Sequence, residues 1–127
     1  SALRIEHTPI EKEYSAMADR KPDMDVTVQQ GLRELMQDDY PLLLETFLAD
    51  AGKRLRQLHD ALAQGDMNAY RQAAHSFKGS AGNMGALALE QACLDAEAAG
   101  VAGDQQVAAS VLIEIEQAFD RLQPLLA

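Results

Sequence analysis

Apolar residues recur every three or four positions through most of this chain, the spacing that places them along one face of an α-helix. A first short helix is predicted to carry Val28, Leu32, Leu35 and Met36, with Asp25 or Thr27 as its N-cap. Gly31 weakens that helix by roughly 1 kcal/mol relative to Ala, so it needs packing to persist. Pro41 suits the first position of a second helix, where its missing N–H leaves no bond unmade. The stripe there runs Tyr40, Leu43, Leu44, Phe47, Leu48, Ala51, Leu55, Leu58 and Leu62, and Gly65 ends it. Asp66 can cap a third helix from about Met67 to Asn83 that buries Tyr70, Ala73, Ala74, Phe77, Ala81 and Met84. After a turn at Gly85, a fourth helix is expected over Ala86–Ala99, stopped by Gly100. The fifth starts near Asp104 and keeps Ala108, Val111, Leu112, Ile115, Phe119, Leu122 and Leu126 in register.

No segment alternates with period two, and no Asn-Gly or Asp-Gly hairpin turn occurs. Short connections favour antiparallel neighbours. The fold expected is therefore all-α: an antiparallel up-and-down four-helix bundle with the extra short N-terminal helix lying across one end. Residues 23–127 make up this domain. Residues 1–22 are polar and weakly periodic, and read as a linker, leader or tail, with room for a short helix at Ile10–Met17.

Composition narrows the function. The chain has 127 residues, the size of one domain, and 47% are hydrophobic, which favours a packed core over disorder. Its net charge of −9, from 20 acids against 11 bases, argues against nucleic acid and anionic membranes as partners, since both need clustered cations. No apolar run approaches the roughly 18–20 residues that span a bilayer. Cys93 is the single cysteine; it cannot form an internal disulfide, and a reducing cytoplasm is the expected setting. There is no Gly-rich phosphate loop of either common type, so the chain shows no nucleotide site of its own. His7, His59 and His75 are too scattered to predict a metal centre.

The third helix holds the one unusual cluster, Ala74-His75-Ser76-Phe77-Lys78-Gly79-Ser80-Ala81-Gly82. If Phe77 points inward, His75 lies about 200° round the helix and faces solvent. Arg71, Lys78, Gly79 and Gly82 fall on the same stripe, one or two turns away. Two helix-interior glycines cost roughly 0.8–1 kcal/mol each relative to Ala. That cost makes sense where something must come close to the helix beside the histidine. An isolated helical histidine is ordinarily just a solvated side chain. The two glycines and the lysine favour a working one.

Counting levels through the Gly85 turn finds a second residue. His75 precedes the turn by about 15 Å of helix and Glu97 follows it by about 18 Å. Side chains lean toward their own N-terminus, which brings the two to nearly the same height. Glu90 sits too low. Glu97 is thus expected to accept a hydrogen bond from Nδ1–H of His75, freeing the Nε2 lone pair. The plainer alternative for Glu97 is an exposed acid near a helix end.

His75, two variable residues, then Lys78-Gly79, inside this order of helices, resembles the histidine-containing phosphotransfer (HPt) family over about residues 24–126. The resemblance implies a phosphocarrier rather than an enzyme: Nε2 of His75 accepts a phosphoryl group from a receiver-domain aspartate and passes it on in a multistep relay. It implies that Lys78 supports the phosphoryl group and that Gly79 leaves access; on the helix surface around them, Arg71, Ser76 and Gly82 are expected where a partner docks. Receiver domains of hybrid sensor kinases and response regulators are the implied partners, and they bring the Mg²⁺; the chain needs no cofactor of its own. We expect a monomer. Two other readings remain at this point: the phosphoacceptor domain of a chemotaxis-type histidine kinase, and a non-catalytic helical adaptor whose histidine is incidental.

Overall fold

The structure is a computed structural model and describes residues 20–127. The helix expected at Ile10–Met17 lies outside the described residues. Five α-helices follow one another: α1 (Val26–Met36), α2 (Tyr40–Gln64), α3 (Met67–Asn83), α4 (Leu87–Ala102) and α5 (Gln105–Leu126), with a single 3₁₀ turn at Gln37–Asp39 between the first two. Helices α2 to α5 form the antiparallel bundle, and the described residues contain no strand.

Local chemistry explains most of the boundaries. Asp25, not Thr27, caps α1, its carboxylate accepting from the backbone N–H of Thr27 and Val28 at 3.0 and 3.3 Å. Asp66 and Asp104 cap α3 and α5 in the same way. The fourth helix overruns its expected stop: Gly100 lies inside α4, which continues to Ala102 and ends at Gly103 with φ +68°. Gly100 is instead a packing residue, because a methyl group there would lie 2.8 Å from Cβ and 2.9 Å from Cα of Arg71 on α3.

The predicted stripe of α5 is buried along its full length. Phe119 packs in T-shaped geometry against both Phe47 from α2 and Phe77 from α3, each with ring centroids 6.4 Å apart, so three helices meet at one aromatic cluster. Tyr70 is fully buried and its hydroxyl donates to the Ala108 carbonyl at 2.8 Å, tying α3 to α5. Two expected core residues are not core. Leu35 on α1 is 78% exposed, and Leu48 on α2 sits at the rim. Leu35 is outside because α1 packs only through Val28, Leu32 and Met36, none of them fully covered.

Helix α1 closes one end of the bundle. The Asp25 amide donates to the Gly85 carbonyl in the α3–α4 turn, and Gln29 and Arg33 side chains donate to the Leu125 and Ala127 carbonyls at the end of α5. Those last carbonyls have no partner within their own helix, so α1 satisfies them. Among the described residues, α1 leaves the opposite end and the bundle's midsection uncovered, and His75 sits in that midsection.

Candidate functional site

Helix α3 is phased by its inward side chains. Tyr70, Ala74, Phe77 and Ala81 are wholly buried, which turns His75 outward with 63% of its side chain exposed. Across the seam to α4, one oxygen of Glu97 lies 3.2 Å from Nδ1 of His75 and the other 2.7 Å from Nζ of Lys78. The carboxylate therefore spans two residues one turn apart on α3.

The hydrogen bond from Lys78 holds the Glu97 carboxyl below the usual carboxylate range; partial desolvation opposes this, and the bond to His75 adds to it. An ionised carboxylate can only accept, so Nδ1 must carry the proton and Nε2 presents its lone pair to solvent. This is the arrangement that the level-counting predicts. Glu90, eight residues past Gly82, is indeed at a lower level, with its carboxylate lying over Gly82.

That contact corrects one expectation. Gly82 is not a bare backbone position, because Glu90 covers it, whereas no atom lies within 4 Å of where a Cβ on Gly79 would be. Gly79 alone keeps the helix surface open beside the imidazole. Arg71 is half-buried and its guanidinium turns back one helical turn to donate to Asn68 at 3.0 Å. Ser76 faces the other neighbour, α2, at the wall of a cleft of about 370 Å³ that Arg54, Gln57 and Asp60 also line. His75, Lys78, Gly79 and Glu97 are thus brought together; Arg71, Ser76 and Gly82 surround them without touching the imidazole's open nitrogen.

The sequence reading missed a second polar group on the α2 side. Ser80 donates to Asp50 at 3.0 Å, and Nε of Arg54 lies 3.3 Å from the other oxygen of the same carboxylate. The signal was available: Asp50 and Arg54 are four apart on α2, and Ser80 follows Ser76 by one turn on α3. Cys93 is fully buried and burial pushes its thiol up to about 12, so it is an inert core residue. Among the described residues no group of three or more His, Cys, Asp or Glu side chains could hold a metal ion. No helix among them is long and apolar enough to cross a membrane.

A family model described as Hpt domain matches residues 42–124. The crystal structure of histidine-containing phosphotransfer protein B from Pseudomonas aeruginosa is similar to the chain at 42% sequence identity, over 83% of this chain and 91% of that one, with a TM-score of 0.80. Among curated proteins none matches.

Proposed function

We propose, on the premise that this chain belongs to the Hpt domain family, that it relays phosphoryl groups between receiver domains through Nε2 of His75. The observation that carries the reading is the Glu97 carboxylate on Nδ1, which leaves the other ring nitrogen as an exposed nucleophile. The lone pair of Nε2 attacks the phosphorus of an aspartyl phosphate on the incoming receiver. The N–P bond forms as the acyl P–O bond breaks, and the aspartate departs as a carboxylate. Onward transfer is the reverse with a second receiver, and the imidazole leaves neutral because Nδ1 has kept its proton throughout.

Glu97 supports the positive charge that develops on the ring, and it fixes the ring's orientation before the partner arrives. Lys78 has three donors; one holds Glu97, and the others are free to neutralise phosphoryl oxygens. Gly79 leaves the space in which those oxygens sit. The receiver brings Mg²⁺ as well as the aspartate, and the ion offsets charge during transfer. This chain contributes positioning and electrostatics only, as a monomeric carrier in the cytoplasm with hybrid sensor kinases and response regulators on either side.

The test is loading from a phosphorylated receiver. His75→Gln should accept no phosphate while keeping its helical content, since the side chain it replaces is exposed. Glu97→Ala should slow loading about tenfold or more, matching the loss of a charged hydrogen bond of roughly 1.5–3 kcal/mol. Glu90→Ala should stay within about twofold of the parent. Undiminished labelling of folded His75→Gln removes the central claim.

A further inference from the structure

Phosphorylation on Nε2 changes what Nδ1 of His75 can be. With phosphorus on Nε2 the ring is neutral when Nδ1 has only a lone pair, and cationic when Nδ1 also carries a proton. The two forms discharge differently. Breaking the N–P bond returns an electron pair to Nε2. With the Nδ1 proton in place the ring departs as neutral imidazole; without it the ring departs as an imidazolide anion, a far poorer leaving group. The groups facing the ring decide which form is held. Glu97 on α4 has one oxygen 3.2 Å from Nδ1 and the other 2.7 Å from Nζ of Lys78 on α3. The other charges nearby are engaged elsewhere: Arg71 on α3 donates to Asn68, Glu90 on α4 lies over Gly82, and Arg54 on α2 is paired with Asp50. Asp60 on α2 lines the cleft beyond Ser76, and among the described residues Glu97 is the one hydrogen-bond partner of the ring.

An anionic acceptor at this distance favours the protonated ring, because it meets a positive charge and an N–H donor together. Lys78 has the complementary part: its hydrogen bond holds the Glu97 carboxyl below the usual carboxylate range, so the carboxylate does not itself take the ring's proton. We propose that Glu97, bridged to Lys78, keeps the proton on Nδ1 after Nε2 has been phosphorylated, and so makes the chain a fast-discharging carrier that holds its phosphoryl group briefly. In hydrolysis a water oxygen attacks phosphorus, the N–P pair returns to Nε2, and the water's protons end on the phosphate and in solvent. In onward transfer a receiver carboxylate takes the place of water. A neutral amide in place of Glu97 has the same reach and still hydrogen-bonds the ring, but it lets the proton go and lengthens the life of the phosphoryl group. Acid rather than amide at this point of α4 thus times the signal. This deepens the phosphocarrier reading and rests on it.

The experiment compares Glu97→Gln with the parent and with Glu90→Gln, an acid of the same helix that does not bond the ring. Each protein is loaded with phosphoramidate, a small donor that needs no docked partner, and freed of donor. Phosphorus NMR then follows the decay of the signal that His75→Gln lacks. At about pH 8, loaded Glu97→Gln should decay roughly fivefold or more slower than the parent, the low end of what removing one adjacent charge does to a proton equilibrium. At about pH 5.5 the ring is protonated in both, and the rates should agree within about twofold. Glu90→Gln should follow the parent throughout. Nitrogen NMR of the loaded parent, which needs no variant, should show Nδ1 bearing a proton at about pH 8, and Glu97→Gln a lone pair there. Parental or faster decay of Glu97→Gln at about pH 8 overturns the proposal while His75 chemistry stands, because orientation alone then accounts for Glu97. A lone-pair Nδ1 in the loaded parent overturns it as well. So does equal slowing in Glu90→Gln, which makes the effect one of net charge. If neither phosphoramidate nor a phosphorylated receiver labels His75 of the parent, the phosphocarrier reading fails and the timing role with it.

Discussion

On its α4 flank, helix α3 comes so close to its neighbour that the backbone of Arg71 occupies the space a side chain on Gly100 would need. On its α2 flank, a cleft of about 370 Å³ opens between the helices, walled by polar side chains such as Arg54, Gln57 and Ser76. The imidazole is held from the tight side only. A bond of 3.2 Å between side chains on two helices tolerates little drift, and the Glu97 carboxylate is useful to His75 only while the helix axes keep their distance. Among the described residues the α2 side makes no hydrogen bond to the ring, so it is free to be wet and polar. Rigid packing is concentrated where the chemistry needs it.

The largest expected effect is on the tight flank. Gly100→Ala puts a methyl group against Cα and Cβ of Arg71, which belong to the helix itself and cannot swing aside. Overpacking of this kind costs about 1–3 kcal/mol. At about 4–8 °C per kcal/mol for a domain of this size, thermal melting should show it plainly. The same shift moves Glu97 away from His75, so phosphate loading should slow in the folded protein. If Gly100→Ala melts with the parent and loads at the parental rate, the seam is looser than its geometry and the contrast between the flanks disappears.

A smaller effect is expected on the open flank. Ser80→Ala removes the hydroxyl that donates to Asp50 at 3.0 Å, but leaves Asp50 its contact with Arg54 and access to water. About 0.5–1.5 kcal/mol of stability should be lost. Loading of His75 should remain within about twofold of the parent, because nothing on this flank orients the ring. Melting and loading measured on the same preparation separate the two outcomes. A large drop in loading with a small drop in stability would show that α2 also positions the site.

The parts of this arrangement that were legible in the sequence are those that periodicity and counting control. Phe77 inward put His75 outward, and a short turn at Gly85 set Glu97, not Glu90, at the height of the imidazole. Side-chain reach is not encoded in period. The length of Glu90 lets it lie over Gly82, and nothing in the spacing announces it. Gly100 was misread for a related reason: a glycine at the end of an apolar run looks the same whether it stops the helix or admits a neighbouring backbone, and only the second helix decides. Leu35 fits the α1 stripe on paper, yet a helix lying across the end of a bundle offers too narrow a contact to cover it.

The smallest effect on stability, and the one whose sign is reversed, belongs to Gly79. It lies on the same helix as the residues facing Gly100, but on the outer surface, where no atom comes within 4 Å of the position a Cβ would take. Helix propensity and the reduced freedom of the unfolded chain therefore predict that Gly79→Ala stabilises the bundle, by up to about 1 kcal/mol. Two glycines in neighbouring helices should thus respond in opposite directions to the same added methyl group. The larger side chain of Gly79→Gln should also leave melting at or above the parent, since it extends into solvent. It would, however, stand beside Nε2 of His75, where the phosphoryl oxygens and the receiver behind them must fit, so loading from a phosphorylated receiver should slow sharply. A protein that is more stable and less active locates the purpose of this glycine in access rather than packing. Unfolding of Gly79→Gln would assign it to packing after all, like Gly100, and parental loading by a stable Gly79→Gln would show that access to Nε2 does not depend on it.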